Sequence, residues 1–247
     1  MTVRHFYKPF IHRVPGPGDI LILCKTSGDL QFAQLFYCYK INFFFINYLA
    51  HAYLSFNDPE ILLGNLISDF VKGKKKFEYP PGIQKGIALH RAIDTFTDSH
   101  EATRNAKEFF RPHYRLYSGA LVDVVFDHFL ATDENEFSGS SLFDFSQQVY
   151  SSIDKQEQWF PERFALMFPY MKEHNWLYNY RTRRGTGKSL GGVVRRAAYL
   201  TESETAFRLF EEHYQPLMLC YRHFWGELKP FARRQFEFFQ QQDGDHL

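Results

Sequence analysis

The chain has 247 residues, enough for one large domain with a proper core, and 45% of them are apolar and 19% aromatic. Its formal net charge of +1 singles out no class of partner, because a balanced total hides separate acidic and basic surfaces. Cys24, Cys38 and Cys220 have neither metal-site spacing nor the count of a disulfide framework, which predicts a reducing compartment.

Residues 1–44 read differently from the rest. Pro15-Gly-Pro-Gly18 and irregular apolar clusters give neither a sustained helix period nor strand alternation, so this stretch is expected to be a poorly structured extension. It is either a genuine extension or an artefact of start-site choice, with the artefact favoured. The apolar runs Asp19–Cys24 and Ile41–Ile46 are too short to span a membrane, and neither has the order of a signal peptide. No membrane association and a cytoplasmic location are expected.

A helical domain is predicted over 45–239. Asn47 to Tyr53 suits a short helix. Asp58 and Pro59 suit a capped helix start, with Leu62, Leu66 and Phe70 on one line and Asn65 and Asp69 on another. Gly73 ends that helix, and Pro80-Pro81 precede the next, predicted from about Gly82. A break is expected near Ser99, and Arg111-Pro112 is expected to end the following helix. Leu116 to Ala131 reads as a helix with Asp123 and Asp127 on one line. Leu142 to Gln158, a start at Pro161-Glu162, and Met171 to Tyr180 follow. Arg181 to Lys188 reads as basic punctuation, Leu190 to Tyr199 as helix. Glu202 to Phe239 suggests one or two long helices interrupted near Pro216 or Pro230. Residues 240–247 are expected to be a flexible tail. With so little strand alternation, the fold class is all-α, a single helical domain.

The chemistry concentrates in Gly86-Ile-Ala-Leu-His-Arg-Ala-Ile-Asp-Thr-Phe-Thr-Asp98. As a helix it puts His90, Asp94 and Asp98 on successive turns of one face, with apolar residues around much of the remainder. Buried imidazoles and carboxylates are costly unless paired or bound to metal, so this stripe asks for a cation or basic partners. His90 with Asp94 is the strongest pair. Asp69 offers a carboxylate from the preceding helix. Asp127-His128 offers both ligand types, although adjacent helix residues point about 100° apart. A lone histidine such as His51 on an apolar face is by default a hydrogen-bonded structural residue. Asp123 could cap its helix or pair with Arg91 or Arg104, and His100, His113, His213 and His223 read as surface or structural.

The central stretch, together with Asn47-Tyr-Leu-Ala-His-Ala-Tyr-Leu54, Gly64-Asn-Leu-Ile-Ser-Asp-Phe-Val71 and Asp123-Val-Val-Phe-Asp-His-Phe-Leu130, resembles the acyl carrier protein phosphodiesterases, or holo-acyl-carrier-protein hydrolases. The resemblance covers roughly four fifths of the chain, by four ordered motifs. It implies an all-helical fold, a divergent relative of the HD-domain (His-Asp) phosphohydrolases. It implies a Mn2+ or Mg2+ site drawn from His51, Asp69, His90, Asp94, Asp127 and His128. The wider superfamily's adjacent His-Asp doublet is missing here; the nearest match, Asp127-His128, is reversed. The implied substrate is holo-acyl carrier protein, cleaved to the apo-protein and 4′-phosphopantetheine.

In such a reaction a divalent ion lowers the pKa of water and neutralises phosphoryl charge. Asp98 or Asp123 could position the water, and Arg91, Arg104 or Lys72 could clamp the phosphate. The carrier is acidic, so Lys72 with Lys74, Lys75 and Lys76, or else Arg181, Arg183 and Arg184, would steer it, with the lysines favoured. No nucleic-acid-binding motif accompanies these clusters, so no nucleic acid is expected. Gly185-Thr-Gly-Lys-Ser189 is no phosphate-binding loop, since Thr182 stands where the first glycine is needed. Two other readings compete: a metal-dependent phosphohydrolase acting on a nucleotide or other small phosphate ester, and a non-catalytic carrier-binding module.

Overall fold

A computed structural model describes residues 10–12, 21–23, 47–139, 141–196 and 203–241. The chain divides into two units, Met1–Tyr39 and Lys40–Leu247. In the first, strands β1 (Phe10–His12) and β2 (Leu21–Leu23) pair antiparallel with Phe10 opposite Leu23. The rest of the expected 1–44 extension, and the expected tail beyond Gln241, lie outside the described residues.

The second unit is all-α. In chain order it runs α1 (Tyr48–Tyr53), α2 (Pro59–Ile67), α3 (Pro81–Ser99), α4 (Glu101–Tyr114), α5 (Ser118–Ala131), α6 (Ser141–Asp154), α7 (Glu162–Glu173), α8 (Trp176–Asn179), α9 (Arg183–Arg196), α10 (Ser203–Glu212) and α11 (Tyr214–Gln241). Among the described residues no helix is long and apolar enough to cross a membrane.

The crossing of α2 and α3 organises the site. A Cβ on Gly64 would fall 2.1 Å from the Ile83 carbonyl oxygen, and one on Gly86 would fall 2.3 Å from that of Ile61. The two helices therefore touch backbone to backbone, and only glycine fits at either position. Asp58 fixes the start of α2, its carboxylate accepting the Ile61 amide at 2.9 Å, with Pro59 in the first turn. Around the crossing, Leu63, Leu66, Ile67, Ile83, Ile87, Leu89 and Ile93 are fully buried, and α11 packs across α3, α4 and α5 through residues such as Phe224 and Leu228.

Several boundaries differ from the sequence expectation. Gly73 does not end α2, which stops at Ile67 and passes into a 3-10 turn over Ser68–Phe70 that carries Asp69. Arg111-Pro112 does not end α4: Phe110 and Tyr114, one turn apart, both bury, and the helix continues to Arg115, which takes a positive φ of 45°. Met171 to Tyr180 is broken at Asn175, with φ 43°, so that α8 is separate from α7. Arg181 to Lys188 is largely helix rather than punctuation. Gly185 lets α9 begin against the Asn179 carbonyl, which a Cβ would meet at 2.0 Å, and Gly187 lies against the Phe207 ring. These glycines serve packing, and so mislead a reading that takes glycine as a loop signal. Farther on, the break falls at His213, and both Pro216 and Pro230 lie within α11.

Candidate active site

Two histidines on different helices stack face to face. His51 of α1 and His90 of α3 have ring centroids 4.2 Å apart and planes inclined by 22°, and both side chains are buried. Asn65, fully buried on α2, holds both. The Nδ1–H of His90 donates to the Asn65 backbone carbonyl at 2.8 Å. The Asn65 side chain donates to the His51 carbonyl (2.9 Å) and the Ser55 hydroxyl (3.1 Å), which leaves its oxygen to accept from His51 Nδ1–H at 2.6 Å. With both Nδ1 atoms committed as donors, each neutral ring presents a lone pair at Nε2.

Both lone pairs face carboxylates. His90 Nε2 is 3.0 Å from Asp94 Oδ2 and 3.4 Å from Asp69 Oδ1, and His51 Nε2 is 3.4 Å from Asp94 Oδ1. Neither buried Nε2 has a hydrogen-bond partner. Acceptors facing acceptors require a positive charge between them. The electrostatics agree. Burial opposes charge on His90, but Asp69 and Asp94 outweigh it and lift the imidazole to about 9. Burial and the charge of His90 push His51 down instead. Burial raises Asp94, but the two histidines overcome it and hold the carboxyl well below the usual range. One Nε2 each from His51 and His90 and one oxygen of Asp94 lie within 4.8 Å of one another, a set able to grip a cation, with Asp69 alongside. The side chain of Asp94 is 48% exposed, so the cluster opens to solvent on that side.

The stripe on α3 thus runs from buried His90 to exposed Asp98. Asp98 pairs with Lys107 of α4 at 2.9 Å. Asp123, half-buried on α5, has its carboxyl pushed well above the ordinary range by burial and by the neighbouring charge of Asp94. The Arg91 guanidinium donates to the Val71 carbonyl at 3.1 Å, pinning the chain just past Asp69. Arg104 donates to the Ser99 carbonyl at the end of α3.

Asp127 and His128 are placed elsewhere. Both Asp127 oxygens accept backbone amides at the start of α1, from Leu49 (3.0 Å) and Ala50 (2.9 Å), so this fully buried carboxyl caps the helix that carries His51. Burial nevertheless lifts it to about 8. His128 lies among the Tyr180 carbonyl (2.7 Å), the Thr186 hydroxyl (3.0 Å) and the Tyr214 hydroxyl (3.1 Å), which ties α5 to α9 and α11. Of the basic groups, Lys72, Lys74 and Lys75 are exposed and Lys76 half-buried around the 3-10 turn Gly73–Glu78, close behind Asp69. Arg181, Arg183 and Arg184 are all exposed, Arg181 bound to the Tyr178 hydroxyl and Arg183 to Glu211 at 2.5 Å.

A second cluster, His100, His223 and Glu227, also brings three ligand atoms within 4.8 Å of one another. Here His100 Nδ1 accepts the Ala102 amide at 3.1 Å, which leaves the ring proton on Nε2, aimed at Glu227 (3.4 Å). His223 Nε2 lies 3.1 Å from the other Glu227 oxygen. Protons complete this cluster with both rings neutral, whereas neutral His51 and His90 carry no proton on Nε2, so the gap there takes either an added proton, as the raised His90 invites, or a metal ion. Reading the sequence alone missed the bridging role of Asn65 and missed Lys107 altogether. The signal for Asn65 was an amide in an otherwise apolar helix, one turn before Asp69. Lys107 carried none.

The family model for acyl carrier protein phosphodiesterase matches residues 46–228. An acyl carrier protein phosphodiesterase of Yersinia pestis is 36% identical over 173 residues, covering 70% of this chain and 90% of that protein. Its counterpart in Serratia proteamaculans is 33% identical over 189 residues, covering 76% and 98%. That of Salmonella paratyphi A is 31% identical over 191 residues, covering 77% and 99%. No solved structure gives a significant match. With a family model spanning the whole of the His51–His90–Asp94 cluster and relatives aligned over nearly their full lengths, the chain belongs to the acyl carrier protein phosphodiesterase family.

Proposed function

We propose that this protein hydrolyses the phosphodiester joining 4′-phosphopantetheine to the serine of holo-acyl carrier protein, releasing apo-carrier and 4′-phosphopantetheine. The observation that carries the reading is the pair of buried, partnerless Nε2 atoms directed at Asp94, in a chain whose relatives bear that enzyme's name. His51, His90 and Asp94, with Asp69, would hold a divalent ion. A mixed nitrogen and oxygen set suits Mn2+ better than Mg2+, which prefers oxygen alone. Bound there, the ion would acidify water and neutralise charge growing on the phosphoryl oxygens.

The chain's own groups do the rest. Asn65 keeps both imidazoles in one tautomer and orientation, and Arg91 holds the segment that carries Asp69. As water oxygen bonds to phosphorus, the bond from phosphorus to the serine oxygen breaks, and that oxygen takes a proton. Asp123, with its raised carboxyl, is the group suited to hold that proton, and Asp98 to orient the water. The exposed lysines following Asp69 form the docking surface for the acidic carrier, because they stand next along the chain to that carboxylate. The compartment is the cytoplasm, and kinship with the His-Asp phosphohydrolases is part of the same proposal. The test is intact-mass conversion of holo- to apo-carrier with Mn2+ or Mg2+, run beside a panel of nucleotides. No loss of the phosphopantetheine mass, with nucleotide turnover instead, would replace this reading by the small-ester one.

A further inference from the structure

On α3, Asp94 and Asp98 stand one turn apart; on α5, so do Gly119 and Asp123. Lys107 of α4 lies between these two rows. Its ammonium is 2.9 Å from Asp98, and its stem runs along Gly119, where an added Cβ would come within 3.3 Å of Lys107 Cε and 3.6 Å of Nζ. Asp123 lies within electrostatic reach of Asp94, Asp98 and Asp127, with Lys107 the opposing charge. In an ordinary surface ion pair both partners are well hydrated. Here the Lys107 side chain is only 18% exposed, while that of Asp98 is 79% exposed.

An anionic ester approaching Asp69, Asp94, Asp98 and Asp123 meets four carboxyl groups and needs a cation facing it. The guanidinium of Arg91 is on the Val71 carbonyl and that of Arg104 on the Ser99 carbonyl. Lys107 is already drawn in among the carboxyl groups, and its exposed partner is easily exchanged for a phosphate. We infer that Lys107 is a substrate-binding residue that leaves Asp98 to grip the phosphoryl oxygens beside Asp98 and Asp123. This deepens the phosphodiesterase reading and rests on it. Gly119 has its place in the same arrangement, because any side chain there would press on the lysine stem.

The experiment measures inorganic phosphate binding by calorimetry for the wild type, Lys107→Met, Lys107→Arg and Asp98→Asn, with thermal melts of the same preparations and with kcat and KM on holo-carrier. Removing a charge-assisted hydrogen bond from a partly desolvated site weakens binding by about 10- to 100-fold. Lys107→Met is therefore expected to lose phosphate affinity and kcat/KM by that factor while melting near the wild type. Lys107→Arg should recover much of the affinity, and Asp98→Asn should bind phosphate at least as well as the wild type. Phosphate affinity within twofold of wild type in Lys107→Met overturns the assignment. So does an equal loss in Asp98→Asn, which would make Lys107 only a partner of Asp98. If the wild type binds phosphate through Lys107 but leaves holo-carrier intact, the substrate reading fails and the Lys107 site stands.

Discussion

Replacing Asn65 by Ala tests how the histidine pair is held. The amide makes three buried hydrogen bonds, to His51 Nδ1, the His51 carbonyl and Ser55 Oγ, whereas His90 uses the Asn65 backbone carbonyl, which alanine keeps. Each buried polar group left without a partner costs about 1–3 kcal/mol, and partial relaxation brings the expected total to about 2–4 kcal/mol. In a domain of this size that lowers Tm by about 5–15 °C. The functional effect is separate. Without Asn65, His51 is free to carry its proton on either nitrogen and to rotate, and loss of such an orienting partner lowers metal affinity or turnover by about 10- to 100-fold. Asn65→Asp keeps an acceptor for Nδ1 but loses both donations, so its loss of function should be smaller than its loss of stability. The assay is holo-to-apo conversion by intact mass across a Mn2+ titration, at a temperature well below both melts. If Asn65→Ala lowers Tm yet keeps the wild-type Mn2+ midpoint and kcat, the tautomer argument is wrong and Asn65 is only packing.

His90→Ala and Asp94→Ala should each abolish hydrolysis while leaving the circular dichroism spectrum helical, with His90→Ala also melting lower because it removes a buried ring stacked on His51; near-normal turnover in a folded variant would remove it from the site. Asp127→Ala, in contrast, leaves the Leu49 and Ala50 amides buried and unpaired, and should cost about 2–5 kcal/mol in denaturant unfolding whether or not metal is added. A loss confined to metal-loaded protein would make Asp127 a ligand instead. Gly64→Ala drives a methyl into the Ile83 carbonyl and should cost about 3 kcal/mol or more, with stability and activity falling together. An unchanged melt would show that the crossing yields easily. Glu136 accepts from Tyr53, Trp225 Nε1 and Lys229; burial raises its carboxyl, but these partners outweigh that and lower it. A lowered carboxyl gives stability that is full above the ordinary glutamate value of about 4.3 and is lost as pH falls toward the folded-state value. Glu136→Gln should therefore flatten the acid side of the stability profile, by about 1 kcal/mol after allowing for the exposed lysine. A profile parallel to wild type between pH 5 and about 3 would count against the pair.

The helical class, the capped start at Asp58 and the pairing of His90 with Asp94 one turn on were legible in the sequence. Each of them rests on spacing within one helix or on chemistry local to one turn. Where the sequence misled, a residue's role depended on what another segment placed against it. Gly185 and Gly187 look like loop residues until α8 and Phe207 are seen against them, and Pro112 looks terminal until Phe110 and Tyr114 are seen buried on either side of it. Asp127 and His128 have the right chemistry for a metal, but their polar atoms are taken by α1 and by the α9–α11 side. Periodicity along α3 could not show that the site needs α1, α2 and the backbone approach of Gly64 to Gly86 to bring His51 over His90. Nor could it choose a tautomer, because a ring proton is assigned by whichever acceptor the fold sets beside Nδ1, and here that acceptor is Asn65. The sequence thus determined which ligating groups exist and on which helices they lie, and the tertiary structure decided which lone pairs converge.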